Sequence, residues 1–76
     1  MTAEVISCIE GVLGRTLSEE VKNSEITLYQ AGFTSYELVQ IIVKLEELYE
    51  VEMDDVLERL NDLTVNDLDS VLSELV

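Results

Sequence analysis

Apolar residues recur at helical spacing in three separate stretches of this 76-residue chain, and no proline interrupts any of them. Positions i, i+3, i+4 and i+7 share one side of an α-helix, so each stretch has a face to bury against a neighbour. Gly11, Gly14 and Gly32 are the only glycines, which leaves few places for tight turns. The pattern predicts an all-α fold: a small four-helix bundle with three main helices, a short third helix and a long loop between helices 1 and 2. A chain this short buries only about 60% of the surface it exposes when unfolded, so one thin core is expected and no deep active site. Residues 1–76 read as a single domain, without repeats or low-complexity segments.

The first helix covers residues 3–14, with Val5, Cys8, Ile9, Val12 and Leu13 on its apolar face, Thr2 as N-cap and Gly14 as its stop. Residues 15–34 are mostly polar. Leu17, Val21, Ile26, Leu28, Tyr29 and Phe33 are spaced as anchors that pin a long loop across the bundle, with a helical turn near residues 17–22. The clearest helix runs over 35–50. Thr34 caps it, Glu37 at the third helical position completes a capping box, and Phe33 and Leu38 form a hydrophobic staple. Leu38, Ile41, Ile42, Leu45, Leu48 and Tyr49 form its apolar face. Asp54 or Asp55 then caps a short helix over 56–60. Thr64 opens the last helix with Asp67 as its box partner, Leu63 and Leu68 as staple, and Leu68, Val71, Leu72 and Leu75 facing inward.

Seventeen acids face four bases (Arg15, Lys22, Lys44 and Arg59), for a net charge of −13. That balance argues against nucleic acid and anionic membranes as partners, and favours proteins with basic patches. The apolar runs are too short to span a bilayer and the N-terminus has no signal pattern, so a cytoplasmic protein without membrane insertion is expected. Cys8 is the only cysteine, which excludes a disulfide framework, and its place on an apolar stripe makes it a packing residue. Asp54, Asp55, Glu58 and Asp62 lack the spacing and glycine of an EF-hand, so no metal site is expected.

Ser35 is the residue with chemical promise. Gly32 lets the backbone turn sharply before it, and Thr34 and Glu37 set the helix start beside it. First-turn amides and the helix dipole stabilise a negative group held there. Thr34 does the capping, so the Ser35 hydroxyl is left to face solvent. The chain has no histidine to activate that hydroxyl. Ser35 therefore reads as a substrate for another enzyme, and the protein as no enzyme itself, with no catalytic residue.

Leu28-x-x-Ala-Gly32-Phe-Thr-Ser35-Tyr-x-Leu-Val, followed by Leu45-Glu46-Glu47-x-Tyr49-x-Val51-Glu52-Met53, resembles the acyl carrier protein family across nearly the whole chain. In that family a Gly-x-Asp-Ser-Leu motif opens the second helix, and its serine receives a 4′-phosphopantetheine arm from coenzyme A. The resemblance implies that Ser35 is the attachment residue and that the arm carries acyl groups as thioesters. Two departures stand out. Thr34 replaces the usual aspartate, which keeps the cap but removes a charge, and Tyr36 replaces the usual leucine. Both are closer to carriers of specialised pathways than to a housekeeping fatty-acid carrier.

The expected function is a free-standing, monomeric acyl carrier of fatty-acid, polyketide or related metabolism, since Met1 precedes the first helix directly and Val76 ends the last. An aminoacyl or peptidyl carrier is the close alternative, and an unmodified helical interaction module a more distant one. The implied partners are a phosphopantetheinyl transferase, an acyl- or aminoacyl-loading ligase, and synthases or transferases with basic docking patches. The docking surface reads as Tyr36, Glu37, Gln40, Val43, Glu46 and Glu47 on the second helix, extended by Asp54, Asp55 and Glu58 on the short third. Such a face is otherwise an ordinary solvated acidic surface. Ile42, Leu45, Leu68 and Val71 are the candidate lining if the bundle parts around an acyl chain; a closed core is the plainer expectation.

Overall fold

The computed structural model describes residues 2–76 and contains no strand among them. In chain order the elements are α1 (Thr2–Leu13), α2 (Glu19–Lys22), α3 (Ser35–Tyr49), α4 (Asp54–Leu57), a 3-10 turn at Leu60–Asp62, and α5 (Val65–Leu75). The three long helices are those of the periodic stretches, and α1 packs against both α3 and α5. The two partners α1 and α3 run antiparallel. Ala3 and Ser7 share a groove with Leu48 and Tyr49 at one end, and Val12 shares one with Val39 and Val43 at the other.

A single core draws on every part of the chain. Val5 and Ile9 enter it from α1, Leu38, Ile41, Ile42 and Leu45 from α3, Val65, Leu68 and Leu72 from α5, and Met53, Val56 and Leu63 from the segment between α3 and α5. No polar or charged residue among those described is buried. Such a core is held by apolar burial and close packing rather than by internal polar networks.

The helix ends show why the elements stop where they do. Thr34 and Thr64 each accept a hydrogen bond from the third helical amide, and Glu37 and Asp67 each accept one from the threonine amide, so both expected capping boxes form. Gly14 ends α1 with φ +71°, donating its amide to the Glu10 carbonyl at 2.8 Å. Thr2 lies inside α1 rather than capping it. The short helix starts two residues earlier than its spacing predicts. Asp54 and Asp55 occupy its first turn, where the dipole favours acids, and make no side-chain cap. Met53 stands at the cap position without a side-chain cap bond, and its side chain is core, only 1% exposed.

The loop between α1 and α3 is packed by its own anchors, as expected for Leu17, Val21, Leu28 and Phe33, all buried. Ile26 is half-buried and Tyr29 is 51% exposed, so the tyrosine anchors nothing. Hydrogen bonds sew the loop to the rest of the bundle: the Leu28 amide donates to the Leu63 carbonyl at 2.8 Å, and the Asn66 amide to Ser24 Oγ at 2.9 Å. A further reciprocal pair, Thr27 with Gln30, shapes the turn before Gly32. Its Thr-x-x-Gln spacing is a readable signal of the same kind as the two helix boxes. Leu48 and Leu75, placed inward by periodicity, are 56% and 46% exposed; both lie in the last turns of their helices and border open surface grooves rather than the closed core.

Candidate functional site

Ser35 is the first residue of α3 and is exposed. The chain reaches it through a compact turn. The Ala31 amide donates to the Thr27 carbonyl at 3.1 Å, Gly32 to Tyr29 at 3.0 Å and Phe33 to Leu28 at 3.2 Å. Gly32 sits at φ +99°, a conformation that a side chain rarely adopts. Phe33 then turns into the core, 4% exposed, and fixes the direction in which α3 leaves the turn.

The capping box determines which groups at this helix end are available. Thr34 Oγ1 accepts from the Glu37 amide at 3.1 Å, Glu37 Oε1 accepts from the Thr34 amide at 2.9 Å, and the Leu38 amide bonds the Thr34 carbonyl at 3.0 Å. The amides of Ser35 and Tyr36 are not used by the box. An exposed hydroxyl thus stands beside first-turn amides at the positive end of a 15-residue helix. This donor set suits a phosphodiester carried on the serine oxygen. Replacing Thr34 by Ala is expected to cost about 1 kcal/mol, with a range of roughly 0.5–2, and to fray the turn that presents Ser35. Denaturant melts check the cost, and Thr34→Asp is expected to recover most of it because aspartate caps equally well.

The residues read as a docking surface separate into two groups. Tyr36, Gln40, Val43 and Glu47 are exposed and follow one stripe along α3, with Tyr36 at 72%. Asp54, Asp55 and Glu58 are exposed too, and Asp54 meets Val43, Glu46 and Glu47 around one shallow groove. At 1.5 Å per residue this groove begins about 12 Å down the helix from Ser35. Glu37 and Glu46 differ: both are half-buried with one oxygen engaged, Glu37 on Thr34 and Glu46 Oε2 on the Met53 amide at 2.8 Å. The Glu46 bond links groups seven residues apart across the end of α3, a reach that helical periodicity does not signal. Glu10 Oε2 makes the equivalent bond to the Leu17 amide at 2.8 Å beyond α1. Of the proposed acyl lining, Ile42, Leu45 and Leu68 are core residues and Val71 packs against them.

The other serines with visible roles serve the backbone. Ser18 caps α2, and Ser24, with φ +61°, accepts from Asn66. Cys8 is half-buried, and burial pushes its thiol up, with Lys44 pulling the other way. Its thiolate is therefore scarce at neutral pH. Alkylation of Cys8 by iodoacetamide at pH 7 is expected to run slower than that of an added free thiol and to accelerate as pH rises; equal rates at pH 7 would contradict the burial.

Among the described residues no cluster of histidine, cysteine or acidic side chains is arranged to hold a metal ion, and no helix is long and apolar enough to cross a membrane. The family model described as a phosphopantetheine attachment site matches residues 3–72. Among curated proteins and among solved structures, nothing matches the chain.

Proposed function

The chain belongs to the phosphopantetheine-attachment family, and from that premise we propose that it is an acyl carrier protein with Ser35 as its attachment serine. Members of this family are carriers rather than catalysts, carry 4′-phosphopantetheine covalently, and work with the enzymes that modify and load them. When bound, the arm supplies a terminal thiol that holds an acyl group as a thioester.

The observation that carries the assignment is the division of labour between neighbours. Thr34 caps α3, which leaves the exposed Ser35 hydroxyl with no structural duty at the helix start. The free first-turn amides and helix dipole favour negative charge on that oxygen. Lacking histidine, the chain has no base of the usual kind to ionise the serine, so the modifying enzyme must bring its own. Residues 2–76 share one core and act as one carrier unit.

The stripe of Tyr36, Gln40, Val43 and Glu47, with Asp54, Asp55 and Glu58 beyond it, is the proposed face for basic partner enzymes. The net charge of −13 supports that reading and favours acyl over aminoacyl cargo. The test is incubation with coenzyme A and a promiscuous phosphopantetheinyl transferase, followed by loading with acyl and aminoacyl ligases. A mass gain of one arm with acyl loading supports the proposal. No gain refutes the carrier assignment, and exclusive aminoacyl loading makes the protein a peptidyl-type carrier.

A further inference from the structure

Arg15 is one of only four bases in a chain of seventeen acids, yet among the described residues it forms no ion pair. Its guanidinium carbon lies instead 4.8 Å from the centroid of the Phe33 ring. Lys22, by contrast, approaches Glu10 at 4.0 Å. Beside the stacked guanidinium is a partly enclosed cleft of about 150 Å³. Its exposed lining is Arg15, Thr16 and Ser18, and its buried lining includes Leu17, Val21 and Phe33. The acid bonded to the cleft wall, Glu10, is held by the Leu17 amide and faced by Lys22, which blunts its charge toward the cleft.

We propose that this cleft receives the head of a short acyl cargo ending in a free carboxylate. The guanidinium pairs with the carboxylate, and the apolar wall covers the carbons next to it. The inference rests on Ser35 being the attachment serine. Phe33 lies two residues before Ser35, about 7 Å away at full extension, so the cleft is well within the span of a pantetheine arm. The volume matches cavities that take one ligand of about the size of benzene, which limits the cargo to a short chain. Charge selects its end group. An anionic cargo is repelled by most of a surface with net charge −13 and attracted where a base stands unpaired. The planar guanidinium also suits a carboxylate better than an ammonium would, since it can donate two parallel hydrogen bonds.

The test compares NMR spectra of four forms: unmodified protein, protein with the bare arm, and protein loaded with a short carboxyl-ended acyl group or an uncharged one of equal length. The carboxyl-ended cargo is expected to shift the Arg15 guanidinium signal and the amides of Thr16, Leu17 and Phe33. The uncharged cargo is expected to leave the Arg15 signal at its bare-arm position. Arg15→Gln should abolish the difference while the protein stays folded, with no more than the small melting shift expected from losing one exposed guanidinium–ring contact. Identical spectra for the two cargoes would overturn the cleft assignment while leaving the carrier assignment intact. So would an Arg15 shift already complete with the bare arm, which would place the guanidinium on the phosphodiester. Failure of the arm to attach at all, seen by mass before any spectrum, would overturn both.

Discussion

Ser35→Ala is expected to abolish arm addition and to leave the melting curve unchanged. The two halves of that expectation rest on separate observations. The hydroxyl is exposed at the first position of α3, while the cap bond to the Glu37 amide comes from Thr34 Oγ1. Removing the hydroxyl therefore deletes no helix-end bond, and alanine is the better helix former by a few tenths of a kcal/mol. Loss of modification cannot then be blamed on unfolding. Mass spectrometry after transferase treatment reads the first half, and thermal or denaturant melts the second. A full arm mass on the alanine variant would sink the assignment of Ser35 and move attention to another serine. Ser18 and Ser24 are poor substitutes, since each hydroxyl already accepts a backbone amide.

Leu28→Ala is expected to be the most damaging substitution in the long loop. Leu28 is fully buried, and its amide and carbonyl join two different parts of the molecule: the amide donates to Leu63 and the carbonyl accepts from Phe33. Truncating a buried leucine typically costs about 2–5 kcal/mol through lost transfer energy and the cavity left behind. A domain of this length has about 4–11 kcal/mol of total stability, so the variant is expected to lose a large share of it or to unfold at room temperature. Because the Leu28 carbonyl holds the turn leading to Ser35, amide exchange should also quicken at Gly32 and Phe33. A denaturant midpoint shift worth less than about 1 kcal/mol would show that the loop is not part of the core, against its burial here.

The loop illustrates where reading the chain succeeds and where it fails. Leu17, Val21, Leu28 and Phe33 stand out in a polar stretch because an apolar residue amid polar ones needs a reason to be there, and all four are buried. Tyr29 looks the same in sequence and is 51% exposed. Nothing local separates it from Leu28; only the path of the turn, closed by Thr27 with Gln30, points one side chain in and the next one out. Leu48 is a similar case. It keeps the period of the α3 face, yet it borders the open groove beside the first turns of α1 and is 56% exposed.

At the candidate site the local chemistry was legible and the longer-range chemistry was not. Thr34 and Glu37, like Thr64 and Asp67, are three residues apart, so each box is closed by the chain's own geometry wherever the helix is placed. The position of Ser35 follows from that alone, as does its freedom from capping. The Glu46 bond to Met53, the Ser24 bond to Asn66 and the stacking of Arg15 on Phe33 join groups 7 to 42 residues apart. Those depend on how the helices pack, because a side chain meets a distant group only after the core has set the angle and spacing of the elements that carry them. Sequence by itself determined the three long helices, the capping boxes of α3 and α5 and the place of Ser35 beside one of them, because those depend on groups within one helical turn; tertiary structure alone decided which acids on α3 are tied to the backbone and which cation stands beside the loop before Ser35.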